Sequence, residues 1–231
     1  MAGCAMNTQL IADNIDYLLI GNWANGQPGG LALTLFLAVA AGSIASLLGL
    51  AGGIALTMGQ PGLRRTLEAV IAVLRAIPVM MLIFWCYFLL PILLGIDVPG
   101  IATVIAALAL ISAAYLSQSV YAGIAAIGHG QWAAGQALGL GRWQTLRWVI
   151  LPQALRVMLP SFINQWITLI KDTSLAYVVG VAELTFVATQ VNNREQIYPL
   201  EIFGMIGLAY FIVCSTLAWL GSRLARRWQP V

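Results

Sequence analysis

The chain has 231 residues, of which 61% are hydrophobic and only 8% charged, with a formal net charge of +3. Soluble domains carry about 25% charged residues, so the composition excludes a soluble enzyme. It points to an all-α integral membrane protein, a single domain whose core packs within lipid. Cys4, Cys86 and Cys214 have neither metal-ligand spacing nor an even disulfide framework.

The opening residues lack a basic region followed by an apolar core, so no cleaved signal peptide is expected. Residues 1–30 are read as a segment outside the membrane. Within them, 9–21 predict a short amphipathic surface helix that ends in a Gly/Asn-rich loop at 21–30. Five spans follow, at about 31–58, 77–94, 101–126, 157–181 and 200–220, each near the roughly 20 residues a crossing helix needs. Arg64, Arg65 and Arg75 fall between the first two spans. Arg142, Arg147 and Arg156 fall between the third and fourth, and Arg223, Arg226 and Arg227 follow the fifth. Basic residues mark the cytoplasmic side, so the N-terminus is expected outside and the C-terminus inside. Asp13, Asp16, Asp97 and Glu195 fall on the outer side of this topology.

In the first span Gly49 and Gly53 form a GxxxG pair, and Pro78 and Pro91 bound the second. The third contains Ser112, Tyr115, Ser117, Gln118, Ser119 and Tyr121, which suit close helix packing more than chemistry. Residues 130–160 form a polar, small-residue-rich interruption with two short helical patterns split by Gly139 and Gly141. A connection that only turned the chain would be shorter, so this one reads as a docking element. Ala133, Ala134, Gly135 and Ala137 would let the first helix sit deep in a partner's groove. The second, 142–150, would lie on the membrane with Trp143, Leu146 and Ile150 on one face, and Leu151-Pro152 would feed the fourth span. His129 is read as a solvated loop residue.

The fourth span carries a polar stripe. Asn164, Thr168 and Lys171 share a helix face, as do Gln165, Thr168 and Asp172, followed by Thr173 and Ser174. A lysine in a membrane helix costs about 2.5–3.5 kcal/mol on insertion scales and so faces a partner or water. Lys171 and Asp172 either register two helices through ion pairs or face a substrate path. Residues 179–191 read as a half-helix dipping back toward the outer leaflet, with Glu183 at its entrance or on the surface. No P-loop pattern is present, the lone histidine disfavours a histidine-assisted intramembrane hydrolase, and the basic residues mark topology rather than nucleic-acid binding. No metal site is expected. No internal repeat is visible and five spans do not halve, so a symmetric path needs a second chain.

AAGQALG at 133–139, followed by Ile150, Leu151 and Pro152, resembles the EAA coupling loop of permease subunits of ATP-binding-cassette importers. Ala133 stands where that loop usually has its acidic residue. GLALTL at 30–35, LRAIPVMMLIFWCYFLLP at 74–91, AAYLSQSVYAGI at 113–124 and LIKDTSLAYVVGVAEL at 169–184 are similar to the polar amino acid branch of that family. Gln118 and Tyr121 replace its usual Glu and Arg, and Phe186 a common arginine. Within the branch the chain looks most like glutamate/aspartate import permeases. The resemblance implies a type-1 transmembrane domain over 31–227 with its coupling loop at 130–152, in a bacterial inner membrane. It implies three kinds of partner: a second, non-identical five-span chain, two ATPase subunits that hold ATP and magnesium, and a periplasmic amino acid-binding protein. Ala133, Ala134, Gly135, Ala137, Gly139, Ile150, Leu151 and Pro152 would couple to the ATPase. Lys171, Asp172, Thr173, Ser174 and Glu183 would line the path or its gate. A secondary transporter or channel subunit independent of ATP is the rival reading, and a structural subunit without a path is a weaker one.

Overall fold

The computed structural model describes residues 8–22, 26–95, 98–195 and 198–228. Cys4 and Asp97 lie outside these, as does the side chain of Asp13. The described chain is almost wholly helical: α1 (Thr8–Ile20), α2 (Gly30–Met58), α3 (Pro61–Ala76), α4 (Val79–Phe84), α5 (Leu90–Leu94), α6 (Gly100–Ala125), α7 (His129–Ala137), α8 (Arg142–Thr145), α9 (Leu151–Asp172), α10 (Leu184–Glu195) and α11 (Pro199–Trp228). A two-residue antiparallel pairing, Gly21–Asn22 with Gln27–Pro28, closes the loop expected there. Four helical stretches are long and apolar enough to cross a membrane, and five if the broken pair at Ile77-Pro78 counts as one span.

Proline accounts for three departures from the expected spans. Segment 61–76, expected as an arginine-bearing connection, is helix α3, opened by Pro61 at its first position. It stops at Ile77, whose extended backbone (φ −79°, ψ 128°) is what a residue before proline adopts. The second span therefore begins at Val79. It then widens into a π turn, Trp85–Leu89, just ahead of Pro91. The same device recurs at Leu146–Ile150, ahead of Pro152. A proline lacks the N–H that a helix would aim at the fourth preceding carbonyl, and in both places the preceding turn lengthens to i→i−5 bonding. Because the π turn bridges α8 to α9, the fourth span is continuous from Arg142 to Val179. It does not begin near residue 157, and 142–150 is its first part rather than a separate surface helix.

Two compact units divide the chain. The first comprises Met1–Ala41, Val79–Leu108 and Thr168–Thr216. Its core gathers Leu18, Leu184, Val187, Ala188, Val191, Ile202 and Ile206.

The second unit comprises Gly42–Pro78, Ala109–Ile167 and Leu217–Val231. Here glycines set the helix spacing. A Cβ on Gly49 would collide with Leu116, on Gly52 with Ser117, and on Gly53 with Val120. The GxxxG pair thus buries one helix against another of the same chain. Ser112 and Ser117 are buried, and Ser112 accepts a hydrogen bond from Gln165 Nε2 at 3.3 Å. The packing role expected for the serines therefore fits these two. Gly53→Val is expected to destabilise the protein by about 1–3 kcal/mol through overpacking, read as a lower melting temperature in mild detergent, whereas Gly62→Ala, in open space, should leave it unchanged.

Candidate functional site

The hairpin expected as a docking element folds within the second unit. Helix α7 exposes Ala133, Ala134 and Ala137, with Leu138 80% exposed just beyond its end. Gly139, at φ +77°, terminates it: its N–H donates to Gln136 O (2.9 Å), and the N–H of Leu140 donates to Gly135 O (3.1 Å). These two bonds form a Schellman ending, which favours glycine at this left-handed position. The next helix starts at Gly141, whose N–H donates to the Gln144 Oε1 at 2.9 Å, one half of a capping box.

Gly135 turns inward instead of toward a partner. A Cβ there would come within 2.5 Å of Thr145 Cγ2, so glycine lets α7 pack on α8. Leu146, Ile150, Ala154 and Met158 then form one buried row with Val120 and Ile124. Ile150 is thus a core residue, Leu151 is half-buried and Pro152 exposed. Trp143 does not join Leu146 and Ile150 on a buried face, being 54% exposed.

Beside this hairpin lies a cleft of about 480 Å³ in which Arg64, Tyr121, His129, Trp132 and Arg142 take part. Arg64 donates to Glu68 (2.8 Å) and to the Tyr121 hydroxyl (2.9 Å). His129 begins a helix and faces this cleft, not a free loop. Sequence reasoning used the arginines only as topology markers. The available signal was Tyr121, aromatic where the family has arginine.

The path candidates lie in the first unit. Lys171 is exposed, as a lysine expected to face water or a partner would be, Asp172 is half-buried, and no ion pair joins the two. Both sit where α9 tightens into the 3₁₀ turn Thr173–Val179. The Thr173 hydroxyl donates to Ile170 O and that of Ser174 to Lys171 O, each at 2.6 Å. Such back-bonding satisfies carbonyls as the helix changes pitch. Thr173 is fully buried, Ser174 only partly. The half-helix expected at 179–191 is α10, starting later, at Leu184, because Gly180 (φ +76°) ends the 3₁₀ turn.

Glu183 is 0% exposed, which overturns its reading as a surface residue. It caps α10: its carboxylate accepts from the backbone N–H of Thr185 and of Phe186, both at 2.9 Å, and from the Tyr210 hydroxyl at 3.0 Å. The Leu184 N–H donates to Thr34 Oγ1 at 3.0 Å. The free N–H groups of the helix start are thereby satisfied. Gly30, at φ +61° and against the Leu18 carbonyl, donates its N–H to Ala182 O at 2.9 Å and holds the turn from the other side.

Burial pushes the Glu183 carboxyl up to about 7, against the pull of the Thr185 and Phe186 N–H groups and the Tyr210 phenol. The folded value lies above the free one, so the stabilisation is complete below pH 4.5 and fades as pH rises through about 7. Wild-type melting temperature in detergent is expected to fall across that window, and that of Glu183→Gln to stay flat. Glu183→Ala should lose about 1–2 kcal/mol below pH 4.5, and the deficit should shrink as pH rises through about 7.

Comparison with known proteins places these features in a family. The binding-protein-dependent transport system inner membrane component family matches residues 45–230. The glutamine transport system permease protein of Escherichia coli (strain K12) is 36% identical over 202 residues, covering 86% of this chain and 90% of that protein. The glutamate/aspartate import permease protein of Escherichia coli O6:H1 is 35% identical over 167 residues, covering 69% and 74%. A crystal structure of an amino acid ABC transporter with histidines superposes with a TM-score of 0.79 at 30% identity, covering 86% of this chain and 92% of that one. The chain therefore belongs to the family of inner membrane components of binding-protein-dependent transport systems.

Proposed function

We propose that this chain forms half of the transmembrane pore of an ATP-driven amino acid importer in a bacterial inner membrane, with its type-1 domain over residues 31–227. The N-terminus faces the periplasm and the C-terminus the cytoplasm. A second five-span chain, two ATP-binding-cassette ATPase subunits and a periplasmic amino acid-binding protein complete the assembly. Hydrolysis occurs on the ATPases, where ATP and magnesium bind, and this chain transmits the resulting motion. The glutamine and glutamate/aspartate permeases at similar identity support an amino acid substrate. Within that class we favour acidic amino acids.

The observation that carries this reading is the docking hairpin. Ala133, Ala134 and Ala137 present small side chains on a helix tip closed by Gly139, and Leu138 offers an exposed apolar knob beside them. A single exposed leucine is ordinary on any surface; what fits an ATPase groove is its place on a glycine-locked helix tip beside three exposed alanines. Force applied to α7 reaches the fourth span through Gly135–Thr145 packing and the buried row from Leu146 to Met158. Ile150, Leu151 and Pro152 lie on that route. Toward the other end of the span, Lys171, Asp172, Thr173 and Ser174 are the candidates for the path or its gate. Glu183 supports that gate by fixing the turn after it.

Ala134→Trp should reduce recovery of the ATPase in co-purification by about tenfold or more through steric misfit, and ATP-driven uptake with it, at unchanged membrane insertion. Normal ATPase recovery and uptake in this variant would overturn the docking assignment. For topology, Trp148→Cys at this exposed position, in a background with Cys4, Cys86 and Cys214 replaced by serine, should react with a membrane-impermeant thiol reagent only from the cytoplasmic side. Labelling from the periplasm would overturn the orientation.

A further inference from the structure

The second unit holds another open cleft, of about 370 Å³, within the range of about 300–1,000 Å³ usual for small-molecule sites. Arg75, Tyr115, Gln118, Ser119 and Ser161 supply its polar groups, and Met158 part of its apolar wall. Tyr115 meets Arg75 twice. The Arg75 guanidinium lies 5.0 Å from the Tyr115 ring centroid, and the Tyr115 hydroxyl donates to the Arg75 backbone carbonyl at 3.5 Å. Stacking of this kind orients the planar cation without neutralising it. No acidic side chain lines the cleft, and the one ion pair among the described residues belongs to Arg64 and Glu68. Arg75 thus presents a fork of donors to a cleft whose lining also holds Gln118. The Ser119 hydroxyl is directed to Tyr115 O at 3.1 Å, leaving its oxygen free to accept.

We infer that this cleft is a carboxylate-binding station for the transported amino acid, in which Arg75 engages a substrate carboxylate and cationic amino acids are disfavoured. The inference rests on the permease reading above and adds a substrate class to it. A guanidinium binds a carboxylate through paired, charge-assisted hydrogen bonds. The ammonium group of an amino acid meets only neutral acceptors here, from Gln118, Tyr115 and the serines. A second positive charge on the side chain, as in arginine, would meet the guanidinium with no counter-charge in the lining. A second carboxylate, as in glutamate, would not be repelled.

The test uses the assembled transporter in nanodiscs of zwitterionic lipid, with radiolabelled L-glutamate, L-glutamine and L-arginine as probes. ATP-driven uptake by the wild-type complex in proteoliposomes, measured in parallel, reports on the permease reading itself. The wild type is expected to bind glutamate and glutamine, and arginine roughly tenfold more weakly or worse. Arg75→Gln should weaken glutamate binding by about tenfold or more, and Arg75→Lys should restore part of it. Gln118→Glu adds a carboxylate to the same lining as the guanidinium, so it should cause the same loss while admitting arginine. Retained glutamate binding in both Arg75→Gln and Gln118→Glu overturns the station and leaves the permease reading standing, as does equal wild-type affinity for glutamate and arginine. Adding phosphatidylglycerol separates the other source of anions: if it displaces every amino acid in an Arg75-dependent manner, the cleft is a lipid headgroup site and the inference fails. Absence of uptake of any amino acid by the wild-type complex would overturn the permease reading, and the station with it.

Discussion

Whatever the hairpin of α7 and α8 does depends on one apolar row. Leu146, Ile150, Ala154 and Met158 are buried together with Val120 and Ile124. These six side chains fasten the start of the fourth span to the end of the third. Without them α7 would be a tethered loop, and movement at its tip would dissipate in solvent. With them, the helix tip and the first half of the span form one stiff piece, because close-packed interiors transmit displacement instead of absorbing it. Gly135 completes the piece by letting α7 come into contact with Thr145.

The glycines of α2 play a corresponding part along α6. Gly49, Gly52 and Gly53 meet Leu116, Ser117 and Val120 with no room for a methyl group. In lipid there is no hydrophobic drive between helices, so close van der Waals approach has to supply the association. The third span is therefore held by the small residues of α2 and by the apolar row, with Val120 taking part in both, and the residues that line the polar clefts of this unit project from a fixed frame.

Much of this was legible in the sequence. Long apolar runs gave the spans, since a bilayer demands helices of a set length. The small residues of 133–139 marked the hairpin, and the glycine pair marked a close contact. The misses share a cause: a local signal whose consequence depends on distant residues. Pro61 and Arg64 looked like loop residues, yet Leu67, Ile71 and Leu74 bury one side of a helix there, against Leu56, Ala114 and Tyr121. Glu183 looked like a surface acid because nothing local showed that Tyr210, 27 positions on, would enclose it. Arg75 read as a topology marker because its relation to Tyr115, Gln118 and Ser161 exists only once three helices have packed.

The widened turn at Leu146–Ile150 has an effect on evolution as well as on shape. A π turn amounts to one residue inserted into an α-helix, and each residue advances the helix surface by about 100°. Losing a single residue there would swing α7 around the span axis by that angle, with every side chain of α7 still intact. The length of this five-residue stretch is therefore a calibration of aim: it sets the compass bearing of α7 about the span, independently of which amino acids α7 presents.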